Sequence, residues 1–172
     1  MKSSIASVIP YLAGRISSMA PGPLAALRRG PLAGAGAAAF WQLATRFEVG
    51  AREKEWAAVI QCIAILTAKG AGTGKASAHR FSLPMGAALF RSNFSELRLS
   101  RFLSAPAAVR ADFAVRLCRR LARGEHSRFN LITLAHYVLS ESDKTDRIIA
   151  QAYYRAQAKA DFGSSQSDES KS

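Results

Sequence analysis

The stretch from Glu53 to Lys69 constrains the fold more than any other part of the chain. At about 3.6 residues per turn, Trp56, Val59, Ile60, Ile63, Leu66 and Thr67 fall on one broad face, with Cys62 and Ile65 elsewhere on the circumference. A helix that is apolar nearly all round must be enclosed by other elements, so this segment predicts the central buried helix of a larger assembly. Strands are poor candidates for the enclosing elements, because no clean two-residue alternation persists and alanine is abundant. The 172 residues read as all-α, a single compact helical bundle of about seven to nine helices.

Proline and glycine divide the rest. Pro21-Gly22-Pro23 closes a first segment, residues 1–22, in which Ile5, Ile9, Leu12 and Ile16 line one side of an amphipathic helix. Lys2 with the apolar run to Leu12 imitates a signal peptide, and the lack of any acid before Glu48 imitates a transit peptide. Pro10 and Arg15 interrupt both patterns. The bundle domain spans residues 23–162. It holds a short helix from Leu24 to Arg29, one from about Ala37 to Phe47, and the central helix. After a Gly-, Ala- and Ser-rich loop from Gly70 to Ser82, helices follow over Met85–Arg91, Glu96–Leu103, Ala107–Arg123, Arg128–Leu139 and Asp143–Asp161. Residues 163–172 are Ser-rich and polar, and read as a disordered tail. No stretch approaches the roughly 20 apolar residues that a membrane span needs. The two cysteines, Cys62 and Cys118, sit within apolar helical patterns and read as buried free thiols, which makes a reducing compartment, the cytoplasm, the expectation.

Charge supplies the functional lead. Between Lys69 and Arg128 stand twelve basic residues and three acids, a surplus of nine out of the chain's net +12. Seventeen of the 24 basic residues are arginine, whose planar fork of donors suits phosphate oxygens. Arg116, Arg119, Arg120 and Arg123 stand at i, i+3, i+4 and i+7, one stripe on a helix. Like charges so placed repel one another, and a polyanion laid along them removes that cost. Beside the stripe, Val109, Phe113, Leu117 and Leu121 form an apolar row that faces a core. The loop adds Lys75 and Arg80 as a candidate strand-binding element. The aromatic residues Trp41, Trp56, Tyr153 and Tyr154 lie at helical spacing within apolar runs and read as core rather than as base-stacking platforms.

Catalytic and cofactor motifs are missing. Gly70-Ala71-Gly72-Thr73-Gly74-Lys75 looks like a phosphate loop, but Lys69 stands where its first glycine belongs and Ala76 where Ser or Thr belongs. The dinucleotide fingerprint fails at Lys75. His79, His126 and His136 have no metal-ligand spacing, and no paired-carboxylate or nucleophile-elbow pattern occurs. The expectation is a protein without catalytic residues, metal or cofactor.

Several stretches, taken in order, resemble the CasB family, the small subunit of the type I-E CRISPR Cascade surveillance complex. Leu27-Arg28-Arg29-Gly30 followed by Phe40-Trp41-Gln42-Leu43 looks like that family's opening. Trp56 to Leu66 resembles its buried helix, and Leu83-Pro84-Met85-Gly86-Ala87-Ala88-Leu89 its Leu-Gly-x-x-Leu element. Ser95-Glu96-Leu97-Arg98-Leu99-Ser100-Arg101-Phe102-Leu103 is similar to its Ser-Glu-x-Arg signature, and Tyr153-Tyr154 to its closing aromatic pair. Phe129 stands where a Trp is frequent, and Phe102-Leu103 replaces paired leucines. The resemblance spans about Leu24 to Tyr154. It implies a non-catalytic helical protein that sits as a pair, beside backbone and large subunits, on guide RNA and target DNA, and steadies the opened target. In such recognition base pairing reads the sequence, while protein contacts read backbone and shape. The motif arginines are Arg28, Arg29 and Arg98. Arg91 and Arg101 join Arg98 near one face if the helix is continuous, and Asn93 is the signal that it is not.

A second reading is a helix-turn-helix regulator formed by Leu97–Leu103, the turn at Ser104-Ala105-Pro106 and the Arg-rich helix. A recognition helix reads bases with its N-terminal residues, which here are Ala107, Ala108 and Arg110, while the arginines gather toward the C-terminal half.

Overall fold

A computed structural model describes residues 4–67, 76–140 and 142–169, with side chains described as far as residue 164. These residues form nine helices: α1 (Ile5–Ser17), α2 (Pro21–Arg29), α3 (Ala35–Ala44), α4 (Glu53–Leu66), α5 (Met85–Arg91), α6 (Glu96–Leu103), α7 (Ala107–Leu121), α8 (Leu131–Leu139) and α9 (Asp143–Glu169). The all-α bundle read from the sequence is the fold observed.

α4 is its axis. Trp56, Val59, Ile60, Ile63 and Leu66 are buried as the periodicity requires, and so are Ala57, Ala58, Cys62 and Ala64 on the other sides. It packs against α1, α2, α7 and α8. Small side chains on its far sides let those neighbours approach closely. α1 delivers Ile9, Leu12 and Ile16 into the same core, so the division drawn at residue 22 marks no structural boundary. Cys62 and Cys118 are free and buried. Burial, and then contact with Cys62, pushes the Cys118 thiol far up from its ordinary range, which leaves it a small hydrophobe rather than a nucleophile.

α4 ends at Leu66, short of the Lys69 expected. Thr67 turns to extended backbone, its hydroxyl donates to the Ile63 carbonyl at 2.8 Å, and Arg28 reaches across from α2. The Arg28 Nε and Nη2 donate to the carbonyls of Ala64 (2.8 Å) and Thr67 (2.6 Å), groups that a helix end leaves without partners.

The entry to α8 is also shorter than the periodicity suggests. Phe129 pairs with His79 in an isolated parallel bridge. The Arg80 amide donates to the Phe129 carbonyl at 2.9 Å, and the Asn130 amide to the Leu83 carbonyl at 2.8 Å. A second strand-like segment claims the backbone of 129–130, so the helix starts only at Leu131, capped by the Asn130 side chain.

α5 lies directly on α9. A Cβ on Gly86 would collide with the Ile149 carbonyl oxygen and the Tyr153 amide nitrogen, so only glycine permits this approach. α9 runs on to Glu169, past the Asp161 where the sequence reading ended it. The Ser164 hydroxyl donates back to the carbonyls of Ala160 (3.2 Å) and Asp161 (2.8 Å), and extending a formed helix is far easier than nucleating one. No helix among the described residues is long and apolar enough to cross a membrane.

Candidate nucleic-acid interface

Three helices, α5, α6 and α7, build the basic face. α6 opens with Ser95 as its N-cap, the Ser95 side chain accepting from the Arg98 amide at 3.4 Å. Two buried tyrosines hold this segment to the bundle. Tyr153 of α9 donates its hydroxyl to the Phe94 carbonyl, and Tyr137 of α8 donates to the Phe102 carbonyl, both at 2.6 Å. Burial pushes both phenols upward, with Glu96 and then Tyr154 adding to the effect at Tyr153, so both remain protonated donors. The Phe102 ring also stacks on Tyr137 at 4.1 Å between centroids. Leu99 and Phe102 are buried, and Arg98 and Arg101 are left on the open side.

α7 follows Pro106, whose fixed φ suits a helix entry. Leu117 and Leu121 are buried, and Arg116, Arg119, Arg120 and Arg123 are exposed. The helix ends at Leu121, so Arg123 belongs to the turn that follows, where its amide donates to the Arg120 carbonyl at 3.2 Å.

Arg98 and Arg101 of α6 meet Arg116 and Arg120 of α7 around a groove of about 240 Å³ floored by phenylalanine. A second cleft of about 560 Å³ lies between the C-terminal ends of α5 and α7, where Arg91 faces Arg120 and Arg123, with Glu125 and His126 on its border. Arg120 belongs to both, which makes one continuous face. Asn93 separates the two: its φ of 54° lies in the left-handed region, breaks the helical register after Arg91, and sends Arg91 to a different cleft from Arg98. None of these six guanidinium groups has a hydrogen bond or ion pair to a side chain among the described residues, where Arg110–Asp146 is the one ion pair. Glu96, the obvious acid for Arg98, instead accepts from Gln157 of α9 at 3.0 Å.

The remaining candidates lie elsewhere. For Arg28 and Arg29 the sequence leaves the role divided between fold and ligand; Arg28 spends its fork on the end of α4, and burial lowers its pKa. Arg29 and Arg80 are exposed and border neither groove; the Arg80 Nε donates to the Ser82 hydroxyl at 3.0 Å. Arg119 is exposed but also borders neither. Lys75 lies outside the described residues. Trp56 and Tyr153 are core, as expected, whereas Trp41 and Tyr154 are 48% and 46% exposed and correct that part of the reading.

Arg110 stands apart from the other arginines of α7. It is buried, its fork meets both carboxylate oxygens of Asp146 at 3.1 and 2.8 Å, its Nε donates to the Ala105 carbonyl, and it lies 4.6 Å over the Tyr137 ring. It braces the turn before α7 and offers nothing to a base edge.

Sequence reasoning missed two cations. Arg155 and Lys159 of α9 border a groove of about 570 Å³ with Arg91 on its α5 side and Ala152, Ala156 and Ala160 along its floor. The signal was present as an i, i+4 basic pair beside an alanine row, but the surplus counted to Arg128 stopped short of it. The loop that carries Arg80 is held by His79, whose Nδ1 accepts from the Leu131 amide at 3.2 Å, and burial lowers the His79 pKa. Among the described residues no group of His, Cys, Asp and Glu has the arrangement to hold a metal ion.

Comparison with known protein families, with curated proteins and with solved structures finds no match to this chain.

Proposed function

We propose that this protein binds nucleic-acid backbones without reading their sequence, through the face built by α5, α6 and α7. The observation that carries this reading is the ring of Arg98, Arg101, Arg116 and Arg120, drawn from two helices and with no side-chain partner among the described residues. Guanidinium groups brought together at mutual repulsion, and exposed, suit a ligand with repeated negative charge. Both grooves are open clefts along a bundle surface, and the groove between α6 and α7 is lined only by arginine and apolar side chains, which supply charge and apolar area rather than amide donors for base edges.

The regulator reading loses its recognition helix. The first turns of α7 present alanines, and Arg110, the one long polar side chain there, is buried against Asp146. Within the phosphate-binding reading, the order of motifs from Leu27 to Tyr154 favours the small subunit of a type I-E CRISPR surveillance complex. In that role the protein is non-catalytic and cytoplasmic. It sits as two copies beside the backbone and large subunits, with the basic face on guide RNA and target DNA, and it tips the nearly balanced opening of the target through added phosphate contacts.

Titration of a single strand over a salt series tests the binding. If about five phosphates are neutralised, log affinity falls against log salt with a slope near −3.5. A salt-independent affinity, or a thousandfold preference for one duplex site, rejects it. The assembly role is tested by the lifetime of opened target DNA in a reconstituted complex carrying Arg98→Ala: a shortened lifetime at normal guide RNA content is expected.

A further inference from the structure

The groove between α6 and α7 is not a uniformly polar channel of the kind that phosphate contact alone requires. Its four arginines form a rim, and between them the floor is aromatic, with Phe94 buried and Phe113 half-buried. A ligand complementary to both parts has an apolar planar body flanked by negative charge on more than one side. An unstacked nucleotide within a single strand has that form: the base is the planar body, and the phosphates before and after it are the flanking charges. A duplex does not, because its bases are stacked and paired.

Resting on the backbone-binding reading above, we propose that this groove captures one unstacked base of a single strand, with Arg98, Arg101, Arg116 and Arg120 holding the phosphates on either side. Its volume of about 240 Å³ falls below the roughly 300 Å³ at which pockets for drug-sized ligands begin, and so suits a single ring system. Every base offers a π-face, so capture against phenylalanine adds affinity without adding sequence preference. Arginine planes at the rim add stacking surface of their own. The consequence is discrimination by state: opened strand is held and closed duplex is not.

The test compares two single strands of about twenty nucleotides and equal charge, one of thymidines and one with abasic sites throughout, titrated against the full chain. The thymidine strand is expected to bind about tenfold more tightly, equivalent to ~1.4 kcal/mol, with the same salt slope for both. Phe113→Leu keeps an apolar side chain and removes the aromatic face, so the folded variant should lose the difference between the two strands. Equal binding of the two strands with a steep salt slope overturns base capture and leaves the backbone reading standing. No binding of either strand overturns the backbone reading itself. Retention of the full tenfold difference in Phe113→Leu also overturns the proposal, as does an acidic amphipathic peptide that binds this groove while the two strands bind equally.

Discussion

Arg110 and Arg120 belong to the same helix and have opposite fates. Arg110 is buried, with a bidentate carboxylate, a carbonyl and an aromatic face around it. Arg120 is exposed, borders two grooves and has no side-chain partner among the described residues. At about 100° per residue, Arg110 lies roughly 130° from the centre of the stripe formed by Arg116, Arg119 and Arg120. The angle alone turns it toward α8 and α9, where Tyr137 and Asp146 wait. Direction thus separates two groups of arginines: those that point inward are satisfied and brace the fold, and those that border the two grooves point outward and have no side-chain partner among the described residues. Arg28 belongs to the first group, and Arg91, Arg98 and Arg101 to the second.

The largest effect should come from breaking the braced side. In Asp146→Ala the Arg110 guanidinium keeps its charge and loses its partner. The two side chains are only 11% and 17% exposed, so the loss should cost about 3 kcal/mol of folding stability, on the order of a hundredfold in the equilibrium. Chemical denaturation measures this. The fraction still folded should bind single strands as before; a parallel loss of affinity would mean that the two groups of arginines are not separate.

The converse experiment is Arg119, Arg120 and Arg123 changed together to Ala. Two phosphate contacts, from Arg120 and Arg123, at about 0.7 each correspond to a salt slope shallower by about 1.4, and to roughly fifteenfold weaker binding at 0.15 M salt, with Arg119 adding only a smaller effect through space. The melting temperature should hold or rise slightly, because repulsion within the stripe is relieved. If the variant unfolds, these residues are braces.

How far this division could be read from the chain depends on what each feature needs. α4 was legible because its apolar circumference repeats locally, and α7 because Pro106, an apolar row and an arginine stripe agree in period. The fate of Arg110 was not, since Asp146 lies on another helix and nothing local marks the pair. The start of α8 was misread because Phe129 gives up helical geometry for a bridge to a segment 50 positions earlier at His79. The basic stripe was legible by spacing, whereas its fusion with Arg98 and Arg101 depends on how α6 folds back beside α7. α6 is held near its two ends by tyrosine hydrogen bonds from α9 and α8, and the turn after it by Arg110. The Arg28 motif was visible as two adjacent arginines, but which of them braces was decided by the distance to the end of α4.

Arg28→Ala should therefore weaken folding by about 1.5 kcal/mol, or about tenfold, through the freed carbonyls of Ala64 and Thr67. Arg29→Ala should leave stability unchanged. Lysine at position 28 should rescue poorly, because one ammonium cannot serve two carbonyls in fork geometry. Smaller again is the contribution of His79, a basic group that burial keeps neutral. Its folded pKa lies below the ordinary 6.5, so the unfolded chain takes up the proton first. The stabilisation it gives is complete above pH 6.5 and is lost as pH falls through the folded value. Urea midpoints from about pH 7.5 to about pH 5 should fall, and should fall less in His79→Gln.

The finest division lies within the stripe. Arg119 and Arg120 are adjacent and both exposed, and only Arg120 borders the grooves. If the grooves carry the ligand, Arg120→Ala should weaken strand binding about fourfold at 0.15 M salt and flatten the slope by about 0.7, the loss of one phosphate contact. Arg119→Ala should act only through space. Screening at a Debye length of about 8 Å weakens its field on a strand seated in either groove, so its effect should be less than half as large. Lowering the salt to about 0.01 M lengthens the screening to about 30 Å, and the two variants should then converge. Equal effects at both salt concentrations would mean that the stripe works as a diffuse patch of charge, and that the grooves between α6, α7 and α5 do not position the strand.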